Sequence, residues 1–505
     1  MIIKSRDTRF IWGLFVLACV IRLVFFLVFT CKSENYLIHF DSAQYINLAE
    51  NIYMGKGITN TDETPQFYRL PGYSIFLALC YKIFGHDYIY VLFVQIMLAS
   101  LIPILIFYLA RMLFPKKIRI AQVSSIISCI HVGFVLYAGM IATETLFTLF
   151  FLGFLIAFFK ALEQYSSKQF FLAGILLGCA SMIRPVGIFI LVLAVVLAIF
   201  FAFVFPSTSS PTPIGDPGKT PNLNPRDINS NFERKNVSIA WIPGQARDDV
   251  RESVALVGKK LYPRNIVLLI FGWLIIVIPW LARNFILSGF IFFHTLPGLH
   301  FLQYSATKII MQTSTHDKTY VQARKRVLSQ WDDAIKKQEN NLGRSLHEYE
   351  KCVIGEKITY GYMKQYPMLG LKNACIEMLK TCCALYSAQI IISDTGVWPD
   401  YGPGVSFLTK IKRFLLPEVN HKYLIPIIYW DILVTILILL GCLGFVCLSI
   451  FDSRLRMQVF KLAPFIALMI LLTLAYGCAR LRLPIEPLLL ILATSCGFFM
   501  FDIKR

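Results

Sequence analysis

The apolar residues of this chain are gathered into blocks of about 20, the length an α-helix needs to cross roughly 30 Å of hydrocarbon. Ten such blocks occur, over residues 10–30, 88–110, 120–137, 144–159, 170–183, 186–205, 266–287, 423–450, 462–478 and 484–501. Only a helix satisfies its own backbone hydrogen bonds within one segment of this kind, so the blocks predict an all-α polytopic membrane protein of about ten spans. Composition agrees: 56% of the 505 residues are hydrophobic and 16% are charged, too few charges to coat a soluble surface of this size. A soluble enzyme, a disordered scaffold and a secreted disulfide-rich domain are therefore excluded.

Lys and Arg number 49 against 30 Asp and Glu, a net charge of +19. In a membrane protein this reads first as topology, because Lys and Arg remain on the cytoplasmic side beside anionic lipid, and no nucleic-acid partner is needed. With the N-terminus in the cytoplasm, the short inner segments hold 14 basic residues and the outer ones, long loop aside, hold 7. Both termini are thus expected in the cytoplasm. Block 10–30 has the basic flank of a signal sequence but is too long and lacks a small-x-small cleavage site, so it is expected to stay as an anchor.

This orientation divides the chain into a transmembrane module with a first outer loop (1–205), a cytoplasmic insertion (206–262), a seventh span (263–287), an outer-face loop domain (288–422) and a C-terminal transmembrane module (423–505). Residues 206–262 are rich in Pro, Ser, Asn and Asp without a sustained period and read as disordered. In the outer domain, Val321, Leu328, Trp331 and Ile335, then Leu371, Cys375, Met378, Leu379 and Cys382, recur at helical spacing. They predict helices with one apolar face, lying on the membrane or packing as a cap.

Metal and redox motifs are missing: there is no CxxC, HxxxH, HExxH or Asp-x-Asp. Cys31, Cys352, Cys375, Cys382 and Cys383 fall in outer segments, and a disulfide among them is left unassigned. The chemistry-bearing residues lie at the outer ends of spans. Asp41, in His39-Phe40-Asp41-Ser42-Ala43-Gln44-Tyr45, begins a helix; it either caps that helix, with Gln44 completing a capping box, or takes a proton from an acceptor hydroxyl. Glu144, in Thr143-Glu144-Thr145-Leu146, begins another span on the same side. Arginines recur at Phe67-Tyr68-Arg69-Leu70-Pro71-Gly72-Tyr73, Arg184-Pro185, Arg283-Asn284 and Arg480-Leu481-Arg482-Leu483-Pro484. The positive-inside bias puts arginine at inner ends, so this outer set points to an anionic ligand. Arg22 and Asp431 are charges inside spans, read as structural. A transferase working on the outer face has no cytoplasmic nucleotides to draw on, so its donor would arrive activated in the membrane, as a lipid phosphate.

Taken in order, Asp41-Ser42-Ala43-Gln44-Tyr45, Arg69-Leu70-Pro71-Gly72-Tyr73, Thr143-Glu144-Thr145-Leu146, Arg184-Pro185, Pro279-Trp280 with Arg283-Asn284, and Arg480-Leu481-Arg482-Leu483-Pro484-Ile485-Glu486-Pro487 resemble the GT-C-fold membrane glycosyltransferases. The likeness is to their bacterial branch, related to dolichyl-phosphate-mannose protein mannosyltransferases and lipid A aminoarabinose transferases. The resemblance implies a multi-pass protein of a bacterial inner membrane with a periplasmic site. It implies transfer of a sugar from a polyprenyl-phosphate carrier to a lipid, glycan or protein acceptor, with inversion. Asp41 matches the group's first-loop acid, the general base, and Glu144 a second outer acid. Arg69, Arg184, Arg283, Arg480 and Arg482 are expected to bind the donor phosphate, and Tyr45, Tyr68 and Tyr73 to contact the acceptor or brace the loop. Metal use varies within the group, so no cofactor is obligatory and a divalent ion is left open. The competing reading is a transporter or flippase for a lipid-linked or anionic substrate, whose sequence would show paired hydropathy halves and broken helices meeting at midmembrane. Neither pairing is visible here.

Overall fold

The computed structural model describes residues 5–30, 41–204, 263–395 and 419–503; the insertion at 206–262 lies outside them. In chain order the helices are α1 (Ser5–Phe25, continued by a π-helical turn, Phe26–Thr30), α2 (Ser42–Tyr53), α3 (Gly72–Phe84), α4 (Tyr88–Ala99), α5 (Ile102–Leu113), α6 (Ile118–Ile130), α7 (Val132–Leu136), α8 (Glu144–Gln164), α9 (Ser167–Ile183) and α10 (Val186–Val204). After the insertion come α11 (Pro263–Ser288), α12 (Leu296–Phe301), α13 (Thr307–Thr313), α14 (Tyr320–Leu342), α15 (Glu348–Gln365), α16 (Pro367–Cys383), α17 (Ser387–Thr395), α18 (Ile425–Phe451), α19 (Ser453–Leu471), α20 (Ala479–Arg482) and α21 (Glu486–Ile503). Among the described residues the only extended pairing is one bridge between Thr59 and Pro65.

Six stretches are long and apolar enough to cross a membrane: Asp7–Val28, Tyr88–Leu113, Glu144–Gln164, Pro263–Ser288, Lys422–Phe451 and Ala479–Met500. Two bent pairs raise this to eight among the described residues: Ile118–Ile130 with Val132–Gly139, turned by 55°, and Pro367–Cys383 with Ser387–Thr395, turned by 91°. Blocks 170–183 and 186–205 correspond to the shorter apolar helices Ser167–Ile183 and Val186–Ala202, and α3 is a further one. Block 462–478 is displaced from its helix. α19 begins among Arg454, Arg456 and Lys461 and stops at Leu471, because Glu377 and Lys308 draw residues 473–478 into a turn: the Glu377 carboxylate accepts from Gly477 N (2.8 Å) and Lys308 Nζ donates to the Ala475 carbonyl (3.1 Å).

Close packing at small residues holds the bundle, since lipid supplies little hydrophobic drive between helices. Gly174 and Gly178 of α9 form a small-xxx-small stripe against α11. A Cβ at Gly174 would overlap the Leu269 carbonyl, and one at Gly178 would lie 2.8 Å from the Ile276 Cβ. On α8, Phe147, Phe151, Phe154 and Phe158 repeat at helical spacing, and the last three meet Phe465 of α19 edge-on at 6.1–6.4 Å. The charges within spans are buried rather than paired with one another. Arg22 donates to the Ala18 carbonyl (3.0 Å), and Asp431 accepts from the backbone N of Ser387 (2.7 Å), anchoring α17.

The helices expected on the outer face separate into two kinds. Leu302, Ala306, Ile310, Ala323 and Val327 form a small core, joined by Trp331 and Ile335, as a cap would. α16 is inverted: Leu371 and Leu379 are exposed while Asn373, Glu377 and Thr381 are buried. An apolar outer face over a polar inner one suits contact with lipid. Cys352, Cys375, Cys382 and Cys383 are all free thiols, and Cys31 lies outside the described residues.

Candidate functional site

Five chain segments that begin or end helices meet at one end of the bundle. α2 starts at Ser42, whose hydroxyl donates to the Ile141 carbonyl (2.7 Å) and fixes the helix start against the segment leading into α8. Gln95, fully buried in α4, braces the same segment by donating to the carbonyls of Tyr137, Ala138 and Met140 at 2.7–3.1 Å. Asp41 precedes α2 and Glu144 opens α8, so the two carboxylates face a common space. Arg69 enters it from the loop before α3, Arg184 from the end of α9, and Arg480 from the single turn of α20.

The contacts are ionic and shared. Asp41 Oδ1 accepts from Arg69 Nη2 at 2.6 Å and Oδ2 from Arg480 Nη1 at 2.7 Å. Glu144 Oε1 accepts from Arg480 Nε and from Arg184 Nη1, the latter at 3.3 Å. Arg480 therefore bridges both acids. The capping-box alternative for Asp41 does not hold: its side chain makes no cap bond, and Gln44 Oε1 instead accepts from Arg69 Nε at 2.7 Å. Arg69 lies between the rings of Tyr45 and Tyr68, 5.3 and 5.1 Å from their centroids. Burial pushes both phenol groups above their ordinary range, so each keeps its O–H as a donor. Three guanidiniums against two carboxylates leave one net positive charge, and the arginine forks suit a phosphate. Glu144 is wholly buried, whereas 32% of the Asp41 side chain is exposed, so Asp41 is the acid an incoming molecule can reach.

Beside this cluster the rings of His300, Tyr304 and Tyr476 pack in a row, tilted to one another, with centroids 4.6 and 4.7 Å apart. Burial lowers His294 and His300 to about 4, so both are neutral at pH 7. Among the described residues, no three His, Cys, Asp or Glu side chains gather closely enough to hold a metal ion.

The other residues expected at this site are placed elsewhere. Arg482 is two residues from Arg480 and so turns to the opposite side of α20; it is 2% exposed and donates to Glu486 Oε1 (2.5 Å) and to the carbonyls of Thr381 and Cys382. Arg283 clamps the first outer loop through the carbonyls of Ile58 (2.6 Å) and Gln66 (3.1 Å), and packs on Phe67 and Trp280. With these bonds and one to Asn284 Oδ1 (3.0 Å), it fastens the loop. Tyr73 is fully buried and donates to Gln95 Oε1 at 2.8 Å, so it supports the site from beneath and cannot touch an acceptor. The sequence reading missed Gln95, His300, Tyr304 and Tyr476, since single polar or aromatic residues in apolar helices and loops carry no local signal.

Residues 65–212 match the family model for dolichyl-phosphate-mannose-protein mannosyltransferases. This stretch includes Arg69, Glu144 and Arg184, and with it the GT-C resemblance of the sequence is supported from the first outer loop through α10. No curated protein matches the chain. Among solved structures, the chain is similar to the crystal structure of ArnT from Cupriavidus metallidurans bound to undecaprenyl phosphate, at 13% identity and a TM-score of 0.37, over 96% of this chain and 78% of that one. The apo form of the same protein gives 13% identity and a TM-score of 0.34, over 95% and 77%.

Proposed function

We propose that this protein is a membrane glycosyltransferase that moves a sugar from a polyprenyl-phosphate carrier to an acceptor on the outer face, in an inverting reaction with Asp41 as general base. The observation that carries this reading is the meeting of Asp41 and Glu144 with Arg69, Arg184 and Arg480 in one partly open, net-positive cluster. The mannosyltransferase-family match over residues 65–212 supports it.

In the proposed step an acceptor hydroxyl attacks the anomeric carbon as the bond from that carbon to the phosphate oxygen breaks. The acceptor proton passes to Asp41. The carrier phosphate leaves as a monoester, gaining one negative charge, and guanidiniums already in place favour that charge more than the diester it came from. At rest both Asp41 oxygens are held by guanidiniums, so Asp41 becomes a free base only as the donor phosphate takes over Arg69 and Arg480. Ordered binding follows, donor before acceptor. Glu144 stays buried and holds Arg480 and Arg184 toward the phosphate.

The test is purified protein in detergent, assayed with a panel of undecaprenyl-phosphate sugars beside Asp41→Asn. Transfer by wild type with a loss of at least about a hundredfold in the variant is expected for a removed base. Transfer at the wild-type rate by Asp41→Asn would remove it from that role.

A further inference from the structure

α20 is one turn long, yet it places two arginines in different surroundings. Arg480 faces the acids of the site and Arg482 faces inward. Arg482 Nε donates to Glu486 Oε1, and its Nη1 donates to the carbonyls of Thr381 and Cys382 in the last turn of α16, where a cation also meets the negative end of the helix dipole. Its guanidinium lies 5.2 Å over the Tyr386 ring, and the Tyr386 hydroxyl donates to the same Glu486 oxygen at 3.0 Å. The preceding turn is gripped from α16 as well. Thr381 Oγ1 meets Thr473 Oγ1 at 2.9 Å, Glu377 accepts from Gly477 N, and a Cβ at Gly477 would overlap the Glu377 carbonyl. Residues 473–482, the segment that aims Arg480, are thus fastened along their length to one outer helix.

We propose that Arg482, with Glu486, is a positioning residue: it fixes the α20 turn to α16 so that the Arg480 guanidinium is held between Asp41 and Glu144. The inference rests on the reading above only in taking Arg480 as a donor-phosphate ligand. It assigns Arg482 no contact with substrate.

The experiment compares wild type, Arg480→Met, Arg482→Met and the double variant as full-length protein in detergent. Undecaprenyl phosphate is the probe, with affinity taken from thermal-shift titration and backbone order from hydrogen exchange. Losing one charge-assisted contact corresponds to about tenfold or more in affinity. Arg482→Met is expected to bind about tenfold more weakly and to lose amide protection at 477–482, and the double variant to bind no more weakly than Arg480→Met. Losses that multiply in the double variant would mean that Arg482 meets the phosphate itself, overturning the proposal. Unchanged affinity and exchange in Arg482→Met would overturn it too. If Arg482→Met alone does not fold, Arg482→Met with Glu486→Met removes both buried charges together and answers the same question. Unchanged binding in Arg480→Met would sink the donor reading instead, and exchange at 477–482 would still decide whether Arg482 orders the turn.

Discussion

Replacing Glu144 by Gln separates two uses of a buried acid. Its carboxylate is wholly buried and one oxygen is shared by Arg480 and Arg184, so Gln keeps the shape and removes the charge. Deleting one partner of a buried ion pair costs about 3–5 kcal/mol. The loss here is smaller, because Arg480 retains Asp41 at 2.7 Å, both arginine side chains are about 15% exposed, and the amide oxygen still accepts a neutral bond. Two charge-assisted bonds weakened by about 0.5–1.5 kcal/mol each give about 1–3 kcal/mol, a fall of a few degrees in thermal unfolding. The effect on transfer falls on kcat and not on KM. One more net positive charge leaves donor binding as tight or tighter, so KM does not rise. Arg480, held on one side only, is misaligned for the departing charge, and kcat falls by about ten- to a hundredfold. Steady-state transfer with the wild-type donor, alongside unfolding in the same detergent, measures both. A raised KM with unchanged kcat and wild-type stability would refute the account of Glu144 as an orienter of arginines.

Arg69→Lys keeps the charge but loses the fork between Gln44 and Asp41 and the stacking on Tyr45 and Tyr68, so transfer is expected to fall by about tenfold while undecaprenyl phosphate still binds; wild-type kinetics would contradict this. Tyr73→Phe breaks the bond to Gln95 and is expected to lower stability by about 0.5–1.5 kcal/mol without changing acceptor KM, which a direct acceptor contact would change. His294 and His300 have pKa values of about 4 when folded against an ordinary 6.5, so the unfolded chain binds more protons between those limits. Stability conferred by keeping them neutral is complete above about pH 6.5 and declines as pH falls toward 4, and the pair His294→Asn with His300→Gln is expected to flatten that slope in pH-dependent unfolding.

The bundle was legible because hydrocarbon imposes a length and an apolar composition on every crossing, which local sequence displays. The gathering of Asp41, Arg69, Glu144, Arg184 and Arg480 was foreshadowed by arginines at the span ends that the charge bias of the sequence assigns to the outer face. What failed was the separation of equals. Arg480 and Arg482 share one motif, and only the approach of α16 from 100 residues away in sequence determines which faces the acids. Asp41 followed by Gln44 satisfies a capping pattern, yet two guanidiniums compete for that carboxylate and win, since a charged donor outbids a neutral backbone N–H. Tyr73 looked like Tyr68 until the partner in α4 was known.

The glycine seam between α9 and α11 joins two portions of polypeptide that flank residues 205–262, one ending at Val204 and the other resuming at Pro263. Because that interlock is made by close packing at glycines, covalent continuity between the portions is unnecessary for it. Genes encoding 1–205 and 263–505 separately, expressed in one cell, are therefore expected to reconstitute the protein by complementation, the halves recognising each other in the bilayer through this close fit and the bonds from Trp273 to Ser181 and from Ser167 to Asn265.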